Sequence, residues 1–129
     1  MLVADTCALI FDALAPDRLS TAARAAIDAA DADGTLCCSD ISLWEISVLV
    51  HRGRLDPGTS TLEFLRLVVA SRRLRVVAIS PEIADLAGSL ELHGDPADRV
   101  IAATAIHLSG SVVTSDQKLR GSTLLRTVW

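Results

Sequence analysis

The sequence predicts one α/β domain, an α/β/α sandwich built on a central parallel sheet. Three observations carry this. The 129 residues suit a single domain, numbered 1–129 throughout, that can bury roughly two-thirds of the surface its unfolded chain exposes. Half the residues are hydrophobic, chiefly Ala, Val, Leu and Ile, and the only aromatics are Phe11, Trp44, Phe64 and Trp129. Short apolar runs alternate with longer helix-forming stretches, a pattern that implies parallel strands covered on both faces.

The elements follow in order. LVA at 2–4 is a short apolar run ending at Asp5-Thr6 and reads as a buried strand. A helix is expected from about Ala8, and a second, Ala-rich one over Ser20–Ala32, broken by Asp31 to Gly34. Thr35 to Ser39 is strand-like, and Cys37 and Cys38, being adjacent, should point to opposite faces. Ser39 or Asp40 caps the next helix, which runs to about Arg52 and stops at Gly53. Pro57-Gly58 is a turn, Ser60 to Ser71 is helical, and Leu74 to Ile79 reads as a third strand. Ser80-Pro81 opens a helix in the N-cap, N1 manner. The stretch HGDPADRVIAATA opens another, with Pro96 in its first turn, ending near Ser109-Gly110. Ser111 to Thr114 is a fourth strand and Leu125 to Val128 a fifth. There are no repeats, low-complexity segments or linkers.

Composition excludes several classes. The hydrophobic content excludes a disordered chain, and the scarcity of aromatics gives no hint of a base-stacking platform. Cys7, Cys37 and Cys38 form no C-x-x-C pair, so they read as small buried hydrophobes in a reducing compartment, not as a zinc or redox motif. The opening MLVAD lacks a basic n-region, and no apolar run reaches the ~18 residues of a membrane span. The expectation is a soluble, cytoplasmic protein without membrane attachment. Net charge is −4, which argues against a bulk polyanion binder, but it is unevenly spread. Residues 51–75 hold six arginines against Asp56 and Glu63, a balance of +4, while the remainder stands at −8. Either an acidic centre lies beside a basic rim, or these are solvated helix faces.

Four carboxylates stand in unusual places. Ligands of an open parallel sheet bind beyond the carboxyl ends of its strands. Asp5 follows the first strand and Asp116 the fourth, so both fall on that edge, although each also suits a helix cap. Glu45 has Ile41, Ser42, Val48 and Leu49 as its helical neighbours, a mostly apolar face. A buried unpaired carboxylate costs several kcal/mol, so a cation, hydrogen bonds or a salt bridge to an arginine must compensate. Asp98 neighbours Ile101 and Ala102 in the same way, while Asp95 already serves as the cap. The helix N-terminus favours an anion at Asp98 by ~0.3–1 kcal/mol, but a surface position would satisfy that too. Four carboxylates without His or Cys select Mg²⁺, with Mn²⁺ as substitute, over zinc. Such a centre can activate water and clamp a phosphate for in-line displacement. Thr6, Thr114 and Ser115 flank it and could orient water.

On these residues the chain resembles the PIN-domain ribonucleases, and among them the VapC-type toxins of bacterial toxin–antitoxin pairs. The matching pieces are VADTCALI, S-LWEI around Glu45, DPADRVIAATA around Asp98 and VVTSDQKL around Asp116, in order along nearly the whole chain. The resemblance implies an α/β/α fold, Mg²⁺-dependent endoribonuclease activity, a homodimer, and a small cognate antitoxin that joins it in a hetero-oligomer. It marks Asp5 and Asp98 as principal metal ligands, Glu45 and Asp116 as the remaining acids, and Arg99 as a phosphate contact. Residues 51–75 diverge, so substrate choice does not carry over. There Arg52, Arg54, Arg72 and Arg73 are the expected RNA contacts.

Other classes fit less well. A phosphoacceptor receiver would show adjacent acids after the first strand and an Asp after the third, but Asp5 is followed by Thr6, and the third strand ends Ile79-Ser80. A haloacid-dehalogenase-type phosphatase needs D-x-D, and position 7 is Cys. A catalytically silent binding module would not need all four acids.

Overall fold

The short apolar runs become the strands of one sheet, and the inner ones are buried on both faces. The computed structural model describes residues 1–92 and 94–129. The strands are β1 (Leu2–Ala4), β2 (Leu36–Ser39), β3 (Arg75–Val77), β4 (Ser111–Val113) and β5 (Thr127–Val128). They pair in parallel, in the order β3-β2-β1-β4-β5. The two residue faces separate cleanly. Leu2, Ala4, Leu36, Cys38 and Val113 enter one core, with Ala8, Ile27, Phe64 and Val68. Val3, Cys37 and Val112 enter the other, with Ile101 and Ala105. Cys37 and Cys38 thus lie on opposite faces, as the strand period requires.

The helices are α1 (Thr6–Leu14), α2 (Thr21–Asp33), α3 (Asp40–His51), α4 (Thr61–Ala70), α5 (Pro81–Ser89), α6 (Pro96–His107) and α7 (Gln117–Arg120), with a 3-10 turn at Pro16–Arg18. The turn and α7 are additions to the expected elements; both are about one turn long and carry no hydrophobic periodicity. Ser20, Ser39, Ser60 and Ser80 cap helices through their hydroxyls, so Ser39, not Asp40, caps α3. Strand β3 is shorter than expected and partly exposed, as suits the sheet's edge. No helix among the described residues is long and apolar enough to cross a membrane.

The strand order decides where a site can form. Chain order runs one way from β1 through β2 to β3, then resumes on the other side of β1 with β4 and β5. The direction reverses between β1 and β4, and an open α/β sheet binds its ligands in the crevice at that reversal. A receiver domain has the order 2-1-3-4-5 instead.

Candidate active site

Asp5 leaves β1 and Asp116 leaves the β4 side of the reversal, one on each wall of the crevice. Both also cap helices. Asp5 Oδ1 accepts the Ala8 N–H at 2.6 Å, and Asp116 Oδ1 accepts those of Lys118 and Leu119 at 2.8 and 3.0 Å. The capping and ligand readings of these residues are therefore compatible. Thr114 joins them: its buried hydroxyl donates to Asp5 Oδ2 at 2.5 Å and accepts the Asp116 N–H at 3.0 Å. Half-buried Ser115 lies between Thr114 and Asp116.

Two helices bring the other acids. α3 starts directly after β2, at the carboxyl edge, and presents half-buried Glu45 one turn in. The Thr6 hydroxyl donates to Glu45 Oε1 at 2.5 Å, with Ser42 Oγ 3.0 Å from the same hydroxyl. This hydrogen bond stands where a salt bridge to arginine was one alternative. α6 precedes β4 and runs antiparallel to it, so its first turn also reaches this edge. Its face is buried from Ala97 through Ala105, which explains the apolar surroundings of Asp98. Asp95 caps the helix, accepting the Ala97 N–H at 3.0 Å.

The electrostatics follow from this convergence. Burial, then Asp116, Glu45, Asp95 and Asp5, push the Asp98 carboxyl up to about 6. Burial also raises Asp5 and Glu45, against the hydrogen bonds from Thr114 and Ala8 to Asp5 and from Thr6 to Glu45. Among the described residues, no basic side chain forms a salt bridge with any of the four acids. Nor, among the described residues, do three Asp, Glu, His or Cys side chains come close enough to form a ready cage for one ion. The four acids offer only oxygen donors, which suit a hard cation held by a few carboxylates and otherwise hydrated.

The flanks divide the expected RNA contacts. Exposed Arg52 and Arg54 line a groove of about 230 Å³ with Glu45, Trp44 and Asp95. Arg99 is half-buried, and its buried Nε has no hydrogen-bond partner among the described residues. Arg72 corrects the expectation. Its Nε and Nη2 fork onto Asp12 at 3.0 and 2.8 Å, and its Nη1 reaches Asp28 at 2.8 Å and Asp31 at 3.4 Å. A guanidinium so engaged has little left for phosphate. Arg72 and Arg73 also precede β3, which places them at the amino edge of the sheet, away from the acids.

Two further residues stand at the cleft that the sequence did not mark. Cys7, expected to be buried, is exposed on the first turn of α1; partial burial of the thiol and the four acids push it up to about 11. Lys118 joins Asp98 at Gly94, where a Cβ would lie 3.4 Å from Asp98 Oδ2 and 3.6 Å from Lys118 Cδ. Its position two residues after Asp116 was the available signal.

A parallel sheet covered on both faces, with acids gathered at its topological reversal, is the class of α/β domain that the fold and the site define. The sequence matches the PIN domain over residues 2–121. It is 38% identical over 118 residues to Ribonuclease VapC22 of Mycobacterium tuberculosis (strain ATCC 25618 / H37Rv), covering 88% of this chain and 87% of that one. The chain therefore belongs to the PIN-domain family, in its VapC branch. Solved structures share the fold. VapBC2 from Rickettsia felis, bound to a DNA fragment from its promoter, gives a TM-score of 0.74 at 17% identity, over 98% of this chain and 96% of that one. A toxin–antitoxin complex from Klebsiella pneumoniae gives 0.64 at 17% identity, over 97% and 95%. PAE2754 from Pyrobaculum aerophilum gives 0.60 at 18% identity, over 98% and 82%.

Proposed function

We propose that this chain is a Mg²⁺-dependent endoribonuclease, the toxin of a type II toxin–antitoxin pair, which hydrolyses RNA phosphodiester bonds at Asp5, Glu45, Asp98 and Asp116. One observation carries the reading: Asp5, Glu45, Asp98 and Asp116 gather at the sheet's reversal, with Thr6 bonded to Glu45 and Thr114 to Asp5 and Asp116, and among the described residues no basic side chain forms a salt bridge with them. The VapC22 relationship supports RNA as the substrate class.

Asp5, at the β1 end, and Asp98, in the first turn of α6, would hold the ion. Glu45 and Asp116 complete the set from the two sides. When bound, Mg²⁺, or Mn²⁺ in its place, would supply positive charge for the phosphate and lower the pKa of a water. Thr6 fixes the Glu45 carboxylate, and Thr114 fixes Asp5 together with the Asp116 backbone. Their hydroxyls therefore set the direction of the oxygens that face water and ion. In this reading Ser115 orients a water and Arg99 meets the phosphate. A folded RNA cut in a single-stranded loop fits best, because in-line attack is easiest on a splayed strand.

The acidic cleft also suits an arginine from the cognate antitoxin, whose guanidinium would fork onto carboxylates that lack a cation. The working assembly is a homodimer bound to antitoxin as a hetero-oligomer. The test is cleavage of structured RNA in Mg²⁺, Mn²⁺, Zn²⁺ and EDTA. Activity is expected with the first two and lost in the others, because an all-oxygen site gives zinc no advantage. Full turnover in chelator overturns the metal mechanism, and equal cleavage of duplex DNA overturns the choice of RNA.

A further inference from the structure

Trp44 is the most exposed large hydrophobic residue described, at 62% of its surface, and it directly precedes Glu45. Single exposed apolar residues are ordinary on a protein surface. This one shares a groove with two arginines and a proposed catalytic acid. Trp44, Val48 and Arg52 fall at i, i+4 and i+8 along α3 and form one stripe. Arg54 joins that stripe through the way the helix ends. Gly53 takes φ +68, the Gly53 N–H donates to the Val50 carbonyl at 3.0 Å, and the Arg54 N–H to Leu49 at 2.9 Å. This Schellman closure folds the chain back and sets Arg54 beside the helix it has just left. The other tryptophan, Trp129, is partly buried against Phe11, with ring centroids 6.2 Å apart. Leu62 and Leu67, the next most exposed, lie on α4.

An aromatic face, two cations and a neighbouring phosphate-cutting centre match the parts of one nucleotide of single-stranded RNA. An indole stacks on any base, while arginine meets the backbone. We infer that the groove formed by Trp44, Arg52 and Arg54 beside Glu45 seats the nucleotide next to the scissile phosphate, its base on Trp44 and its backbone against the two arginines. The inference rests on the proposed ribonuclease reading and deepens it. It also revises the expectation that the chain offers bases nothing to stack on. A duplex cannot use the subsite, because its bases are already stacked on one another. Purines should bind better than pyrimidines, since they offer more stacking surface.

The test exploits the presence of only two tryptophans. A full-length chain carrying Trp129→Phe and Asp98→Asn keeps Trp44 as its single fluorophore and does not consume substrate. In Mg²⁺, a short single-stranded oligoribonucleotide of mixed sequence should quench its emission saturably, and the matching duplex should not. In the active chain, Trp44→Ala should raise KM roughly tenfold, as expected when one base is deprived of its stacking partner, and change kcat by less than about twofold. Trp44→Phe should recover most of the loss. If RNA produces no quenching, or if Trp44→Ala keeps its KM while wild type cleaves RNA, the subsite is overturned and the ribonuclease reading stands. If Trp44→Ala alters sedimentation, or loses affinity for the antitoxin and not for RNA, the face is a protein interface and the subsite is likewise overturned. Failure of wild type to cut RNA with any divalent ion overturns the reading beneath it.

Discussion

The molecule holds two clusters of acids, at opposite edges of one sheet, and they behave in opposite ways. At the amino edge, Asp12, Asp28 and Asp31 surround the Arg72 guanidinium. There the Arg73 N–H and Arg72 hold Asp31 below the usual carboxylate range. At the carboxyl edge, Asp5, Glu45 and Asp98 are all raised, and among the described residues no basic side chain bridges them. The first cluster carries its own cation and ties α1 and α2 to the turn before β3. The second has no salt-bridged cation among the described residues, and in the proposed reading it takes one from outside. Acidic clustering alone therefore marks neither function nor structure; what separates them is whether the fold supplies the counter-charge.

Exchanging one acid from each cluster should separate the two most sharply. Asp98→Asn should lower RNA cleavage by more than roughly a hundredfold, since even supporting partners of metal ligands cost up to that much. Its thermal midpoint in EDTA should match or exceed wild type, because a repelling charge is gone. Asp5→Asn should behave alike. Asp12→Asn should do the reverse, keeping cleavage and lowering stability. Wild-type turnover by Asp98→Asn would break the contrast.

Next in size is Arg72→Met. Removing the shared cation leaves three acids facing one another. The cost should be about 1–3 kcal/mol in urea unfolding, below the roughly 3–5 of a fully buried pair, since the network is partly exposed. Cleavage of RNA at a permissive temperature should be unchanged. A large loss of activity in the folded variant would move Arg72 back among the RNA contacts.

The third test is a pH series on the metal-free protein. Asp98 is raised to about 6 in the fold, above its ordinary 3.8, so the native state holds more protons than the unfolded one between these values. Stability from this group is present in full below the unfolded value and is lost as pH rises through about 6. The thermal midpoint in EDTA should accordingly fall between pH 5 and 7, a decline that Asp98→Asn flattens and saturating Mg²⁺ opposes. A wild-type midpoint that rises across this window would contradict the picture of acids without a counter-charge.

The smallest effect concerns the basic rim. Replacing Arg52 and Arg54 by Gln should weaken RNA binding and make its salt dependence shallower, by about 0.7 in log–log slope for each phosphate no longer neutralised. Changing Arg73 should leave the slope alone, because it stands at the other edge.

Much of this was legible in the sequence because the signals were local. The alternation of short apolar runs with helices defined a parallel sheet, since only strands buried on both faces read so continuously. Asp5 and Asp116 could be assigned to one edge because each immediately follows a strand, and that edge is where parallel sheets bind ligands. Glu45 and Asp98 stood out because a carboxylate on an apolar helical face needs a compensating partner. Tertiary structure alone decided the rest. The strand order placed the reversal between β1 and β4, so that Asp5 and Asp116 share a crevice and Thr114 can bond to both. Arg72 looked like a free surface cation until folding brought Asp12 and Asp31, 60 and 41 residues away in sequence, onto its guanidinium. Cys7 and Trp44 have side chains that often serve as core, and only the layout of α1 and α3 at the carboxyl edge left them open. Local pattern reports what a residue would prefer beside its neighbours in the chain. Which distant charge meets it depends on topology, and no local pattern carries that.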